Sequence, residues 1–157
     1  NHVFLLNVFS EIHKQDANTV LLLAGDGELR LEIERQIAEL DLKKDVLLLG
    51  SRSDVPKLLM SADCFLFPSV WEGLPVTVVE AQAAGLPCFI SSSITKDVCI
   101  SNLTQCLSID KNEVYWANVI NKTSLKKINV LDRIKNAGYD VYYTANELSL
   151  FYKNLIV

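Results

Sequence analysis

Long apolar runs and positive charge are both scarce in this 157-residue sequence. The longest apolar runs, such as TVLLLAG and DVLLLG, are strand-sized, and none approaches the roughly 20 residues needed to span a bilayer. No membrane-spanning segment is expected. Fifteen lysines and arginines against 19 acids leave a formal net charge of -4, with no broad basic face to attract nucleic acid phosphates or an anionic membrane. Nucleic acid is therefore not expected as a partner. The four cysteines, Cys64, Cys88, Cys99 and Cys106, form no C-x-x-C pair, and two sit in apolar strand-like runs where a thiol behaves as a small hydrophobe. This argues against disulfides or zinc and for a reducing cytoplasm. His2 and His13 are too far apart for an i, i+4 ligand pair and read as surface residues, so no metal and no cofactor is expected. The triplets NLT at Asn102 and NKT at Asn121 are read as chance matches to the glycosylation pattern.

Charge is also missing locally. Between Asp63 and Lys96 the only ionisable acids or bases, cysteines aside, are Glu72 and Glu80, in FPSVWEGLPVTVVEAQAAGLPC. Neither has a lysine or arginine close by in the chain. Burying an unpaired carboxylate is costly, so each should meet solvent, hydrogen-bond donors or a ligand.

What is present reads as alternating helices and strands. Apolar residues in NHVFLLNVFSEIHK recur at helical spacing from the first residues, and this abrupt start leads to the expectation that a segment upstream lies outside the chain. There follow strands at about Thr19 to Ala24, Val46 to Leu49, Cys64 to Phe67 and Cys88 to Ser91, separated by helical patterns in ELRLEIERQIAELDL, DVPKLLMSA and VTVVEAQAA. Pro75 suits the start of the last helix, Gly85 its end, and Pro87 blocks its continuation. Strands apolar on both faces, joined by helices, imply an α/β fold: a Rossmann-like parallel sheet covered by helices on both faces. Beyond Ser91, QCLSI reads as a short strand, and NEVYWANVINKT, LKKINVLDRIKNAG and TANELSLFYKNLI read as helices packing back over the core. Residues 1–157 are expected to form one domain.

In open parallel sheets, ligands bind beyond the carboxyl ends of the strands. Two strand-to-helix connections stand there: Gly25-Asp26-Gly27, and Ser69 to Pro75. Gly73 lets backbone approach a ligand, and the amides of Leu74, Val76 and Thr77 can hold an anion such as a diphosphate, while Pro75, lacking an amide, sets geometry. Glu80 lies on the face of Val76 and Thr77 by i+4 and i+3 spacing. Gly25-Asp26-Gly27 is equally a tight turn, since the full G-x-G-x-x-G spacing is lacking. Arg52 is a ligand contact or a surface side chain, and Trp71 packs over the cleft or caps the core.

Glu72 and Glu80 in EGLPVTVVE, preceded in order by LLLAGDGEL, VLLLGSRSDV and SADCFLFPS, resemble the E-x7-E region and carboxyl-terminal domain of retaining family 4 glycosyltransferases of GT-B fold. The resemblance covers residues 1 to 95, and the tail is most similar to capsule and exopolysaccharide transferases. It implies that the chain is the donor nucleotide-sugar-binding half of such an enzyme. Glu72 would bind hydroxyls of the donor sugar, Gly73 and Leu74 the diphosphate, and Glu80 the ribose. Ser51 and Arg52 would stand beside the base and Gly25 to Gly27 near the donor. The reaction implied is retaining transfer of a hexose or N-acetylhexosamine from a nucleotide diphosphate sugar, a UDP-sugar first, to a surface polysaccharide or lipid-linked acceptor. It would take place in the cytoplasm, with the full-length protein peripheral at the inner membrane face. Family members carry an arginine and a lysine before the first helix and an amino-terminal acceptor domain; neither is in this sequence, so the isolated chain is expected to be inactive. A nucleotide-sugar epimerase and a non-enzymatic nucleotide-binding module are the rival readings.

Overall fold

The computed structural model describes residues 1–155. Among them are five strands, all parallel to their neighbours: β1 (Leu21–Ala24) pairs with β2 (Val46–Gly50), and β3 (Phe65–Phe67), β4 (Cys88–Ser91) and β5 (Thr104–Leu107) form a second group in that order. Helix α1 (His2–His13) precedes β1, α2 (Arg30–Glu39) joins β1 to β2, α3 (Val55–Ser61) joins β2 to β3, and α4 (Val76–Ala83) joins β3 to β4. Helix α5 (Glu113–Lys122) follows β5.

Alternation along the strands sends side chains into cores on opposite faces. On one face Cys88 and Ile90 of β4 pack with Leu59 of α3 and with Val78 and Ala81 of α4. On the other, Phe89 of the same strand packs with Val8 and Ile12 of α1 and with Trp116 and Ile120 of α5. Phe89 and Trp116 are fully buried, and full burial of a side chain as large as Phe89 is worth roughly 1.5–3 kcal/mol. The Trp116 indole satisfies its N–H on the Ser108 carbonyl at 2.9 Å. Helix α1 also reaches the first strand pair, where Leu6 and Phe9 join Ile37, Leu42 and Val46. It is the element that ties the two groups of strands together.

The α/β architecture with helices on both faces is as the sequence implies, and β4 has the expected bounds. The sheet differs in one respect: it is divided, with no ladder between β1 and β3. Strand β1 starts two residues late because Thr19 is held in a turn, its amide and hydroxyl both donating to the Asp16 carbonyl. LKKINVLDRIKNAG is helical only in its second half, and its first residues, Leu125 to Val130, are not. The Ile128 amide there donates to the Gly85 carbonyl at 3.1 Å, while α6 (Leu131–Ile134) runs on into a π-helical turn, Lys135–Tyr139, that Gly138 kinks at φ 89°. Helix α7 (Val141–Leu155) is present but buries none of its residues, so it does not pack back over the core as expected. The last residue of the expected TANELSLFYKNLI helix, Ile156, lies outside the described residues.

Candidate functional site

Helix α1 fixes which strand ends share an edge of the molecule. At its start, the Asn1 side-chain amide donates to the Pro68 carbonyl at 2.9 Å, just past the carboxyl end of β3. At its end, His13 lies 3.5 Å from Asp45, just before the amino end of β2. The helix thus runs opposite to both strand groups, and the carboxyl ends of β1, β2 and β3 lie at one side of the fold. The three predicted loops, Gly25 to Gly27, Ser51 to Arg52 and Ser69 to Pro75, all leave from that side. His13 is accordingly a half-buried bridge between α1 and the Asp45 turn rather than a surface residue, and it also meets the Thr19 hydroxyl at 3.3 Å.

The loop after β3 carries the strongest constellation. Ser69 donates its hydroxyl to Glu72 Oε1 at 2.7 Å, which orients a half-buried carboxylate toward the loop. A hydrogen bond from a neutral hydroxyl to an ionised oxygen is short and strong, and it leaves further lone pairs of the carboxylate open. Gly73 is exposed, and a Cβ built on it would meet nothing within 4 Å, so the backbone here faces open space. Pro75 is buried and forms the cap of α4 at φ -73° and ψ 94°, outside the helix rather than in its first turn. Its carbonyl receives the Val78 amide at 3.0 Å. Among the described residues no protein acceptor meets the amides of Leu74, Val76 and Thr77. They are donors at the positive end of a helix, on an exposed surface.

Val76, Thr77 and Glu80 are exposed whereas Val78, Val79, Ala81 and Gln82 are buried. The predicted shared face of Val76, Thr77 and Glu80 is therefore the wet face of α4. Among the described residues the Glu80 carboxylate has neither hydrogen-bond nor ion-pair partner. The two glutamates thus answer differently to their lack of basic neighbours: Glu72 is satisfied by a serine of its own loop, and Glu80 by solvent. Trp71 is 82% exposed and does not cap the core.

The other two loops are more self-contained. Gly25 adopts φ 139° and donates its amide to the Gly50 carbonyl at 2.8 Å, which draws the ends of β1 and β2 together and sets Asp26 beside the Ser51 loop. Asp26 accepts the Gly27 amide at 2.9 Å and faces Arg30 at 3.8 Å. Ser51 is exposed, and Arg52 is engaged in a two-pronged pair with Asp54 at 2.8 and 2.7 Å. The hydrogen bonds from Arg52 hold the Asp54 carboxyl below its usual range, and the same bonds raise the guanidinium. Arg52 therefore offers little free charge to a ligand unless it leaves Asp54.

Ser69 was not singled out in the sequence, although SVWEG places its hydroxyl three residues before Glu72. Gln82 was also missed. It is fully buried and holds the segment after β4, and the only signal was an amide side chain between Ala81 and Ala83, next to the apolar residues of α4.

Comparison with known proteins gives a consistent picture. The family model described as glycosyl transferases group 1 matches residues 1–141. The chain is 37% identical over 153 residues to the putative glycosyltransferase EpsF of Bacillus subtilis, a match covering 94% of this chain and 40% of that protein. It is 30% identical over 148 residues to the Escherichia coli UDP-Gal:alpha-D-GlcNAc-diphosphoundecaprenol alpha-1,3-galactosyltransferase, covering 89% of this chain and 38% of that one. In structure it superimposes on Anabaena Alr3699/HepE, solved in complex with UDP, with a TM-score of 0.76 at 20% identity, over 98% of this chain and 45% of that chain. The chain thus spans about two fifths of the length of these relatives.

Proposed function

The chain belongs to the glycosyl transferases group 1 family, and from that premise we propose that residues 1–157 are the donor-binding domain of a transferase that uses a nucleotide diphosphate sugar. The observation that carries this reading is the juxtaposition at the start of α4: unpartnered amides of Leu74, Val76 and Thr77 follow directly on a Glu72 carboxylate already oriented by Ser69. Amides at a helix N-terminus suit a diphosphate, and carboxylates suit vicinal hydroxyls because each oxygen accepts hydrogen bonds. In this reading Gly73, Leu74, Val76 and Thr77 hold the diphosphate without a metal or other cofactor, and Pro75 fixes the direction of the helix toward it. Glu72 takes hydroxyls of the sugar, and Glu80 takes those of the ribose. Gly25, Asp26 and Gly27 line the donor side, and Ser51 with Arg52 approaches the base.

The finer assignments follow the family and two relatives. A UDP-sugar is the first donor to test, because a relative is named for UDP-Gal and a structural neighbour was solved with UDP. The sugar is a hexose or N-acetylhexosamine, and transfer retains its configuration. The acceptor is a surface polysaccharide or a lipid-linked saccharide, held by parts of the protein outside these residues, and the reaction takes place on the cytoplasmic side. Among the described residues no helix is long and apolar enough to cross a membrane.

An NMR titration of the chain with UDP tests the binding half. Shifts concentrated at Gly73, Leu74, Val76, Thr77 and Glu80 support the site; millimolar UDP that leaves these amides still while moving others refutes it. For the reaction, the full-length protein is incubated with UDP-, GDP- and ADP-sugars and lipid-linked acceptors, and the anomeric configuration of the product is read by NMR. Conversion of the sugar without any acceptor would move the assignment to an epimerase, and nucleotide binding with no turnover to a non-enzymatic module.

A further inference from the structure

The four cysteines are not equivalent in the fold. Cys88 is fully buried on β4 and its thiol donates to the Leu86 carbonyl at 3.3 Å, and Cys64 is half-buried beside it. Cys99 and Cys106, by contrast, lie with their sulfurs 3.4 Å apart, although seven residues separate them in sequence. Cys99 follows the short 3-10 turn Lys96–Val98, and Cys106 stands on β5, which among the described residues has a neighbouring strand on one side only. Cys106 is exposed and Cys99 half-buried. One thiol is therefore open to a reagent from solvent, and its partner is already in contact behind it.

We propose that Cys99 and Cys106 form an oxidisable dithiol, a modification site that closes to an intramolecular disulfide on reaction with a small-molecule disulfide. The exposed Cys106, as thiolate, attacks one sulfur of the reagent and expels the first thiol. Cys99 then gives up its proton, attacks the Cys106 sulfur of the mixed disulfide and expels the second thiol. Two protein thiols are oxidised, one reagent disulfide is reduced to two thiols, and the protons end on the released thiols. The sulfurs must close from 3.4 Å to about 2.05 Å, and the 3.4 Å contact leaves little distance to cover. Burial, with the hydrogen bond to Cys106 and against the pull of Lys96, raises the Cys99 thiol to about 11. Cys99 is thereby unreactive alone, which fits a resolving partner rather than the first point of attack.

Closure would pin the Cys99 to Leu103 turn to β5. That turn is held from the other side by Gln82 of α4, which accepts from both the amide and the hydroxyl of Ser101.

Trypsin offers a direct test, because cleavage after Lys96 and Lys111 puts both cysteines in one peptide, Asp97 to Lys111, and cleavage after Lys57 and Lys96 puts Cys64 and Cys88 in another. The native protein is treated with oxidised glutathione, then unfolded in denaturant, alkylated and digested. The expected result is an Asp97–Lys111 peptide lighter by two hydrogens with no alkylation, while the Leu58–Lys96 peptide carries two alkyl groups. In Cys99→Ser the mixed disulfide on Cys106 should accumulate instead. Both peptides fully alkylated, a wild-type protein that stops at glutathione on Cys106, or a dimer linked through Cys106 would each overturn the proposal. Loss of thiols at Cys64 and Cys88 at the same rate would overturn it as well, since the pairing would then owe nothing to geometry.

Discussion

Gln82 on α4 and Ser101, nineteen residues further along the chain, form a closed polar node in the core: Gln82 Oε1 accepts the Ser101 amide at 3.0 Å and its hydroxyl at 2.9 Å, while Nε2 donates to the Val98 carbonyl at 2.6 Å. Every strong hydrogen-bonding atom of a fully buried amide is used. Gln82→Leu would leave the amide and hydroxyl protons of Ser101 without an acceptor, and the Val98 carbonyl with the Ile100 amide as its remaining donor, without removing much volume. Leaving a buried polar group unsatisfied costs about 1–3 kcal/mol each, so a loss of about 3 kcal/mol is expected, read from urea unfolding. Unchanged stability would mean that water reaches the node.

Gly85 ends α4 at φ 80°, and a Cβ placed there would lie 2.8 Å from the Ile128 carbonyl oxygen, the backbone that runs where a helix was expected. Gly85→Ala therefore combines a left-handed conformation with a clash against main chain. It should destabilise by about 2 kcal/mol or more, through strain at the left-handed backbone and displacement of the Ile128 segment. The same replacement at Gly73, where nothing lies within 4 Å, should leave stability nearly unchanged.

Glu80 separates binding from folding. Because its carboxylate is exposed and unpartnered among the described residues, Glu80→Ala should change stability by no more than about 0.5 kcal/mol. If Glu80 accepts ribose hydroxyls, UDP should bind about ten- to a hundredfold more weakly, since a hydrogen bond to a charged group contributes about 1.5–3 kcal/mol. Glu72→Ala should lower transfer by the full-length protein and also loosen the loop, because Ser69 loses its acceptor.

Burial raises Cys88 to about 12 and Cys64 to about 11, from an ordinary thiol value of 9.0. For these acids the folded chain keeps its proton where the unfolded chain has lost it. Stability is therefore insensitive to both thiols below about pH 9 and falls as pH climbs from 9 toward 12, at up to about 1.4 kcal/mol per pH unit for each thiol. Chemical denaturation at pH 8 and pH 10 measures the slope, and Cys88→Ala should reduce it.

The parts of this fold that the sequence foretells are those set by short-range physics. Continuous apolar runs gave β2 and β4, and Pro75 with Gly85 bracketed α4, since proline and glycine act through their own dihedrals. The exposed face of α4 also followed from spacing, because Val76, Thr77 and Glu80 must share a side. The misreadings have a common cause in tertiary competition. Residues around Ile128 have helical periodicity but pair their backbone with Gly85, a partner more than forty residues away. Helix α7 has an apolar pattern with nothing among the described residues to cover it. The contact of Cys99 with Cys106 arises from a turn and a strand, neither of which has a spacing rule. The pairing of Arg52 with Asp54 lay in plain view in SRSD, yet only coordinates show that both prongs are engaged.

The divided sheet has a consequence for the chain in solution. Leu21 and Phe65 turn their amides toward β2 and β4, donating to Asp45 and Pro87. Backbone direction alternates along a strand, so Leu22 and Leu66 present theirs on the opposite edges, where no strand is paired among the described residues. Right-handed crossovers through α2 on one face and α3 on the other put β2 and β3 on opposite sides of β1. The open edges of β1 and β3 consequently face each other beneath α1, with hydrogen-bonding groups on both walls. Unpaired edges are adhesive: an extended chain that pairs with one gains a ladder, and in a concentrated sample a neighbouring molecule that does so starts aggregation.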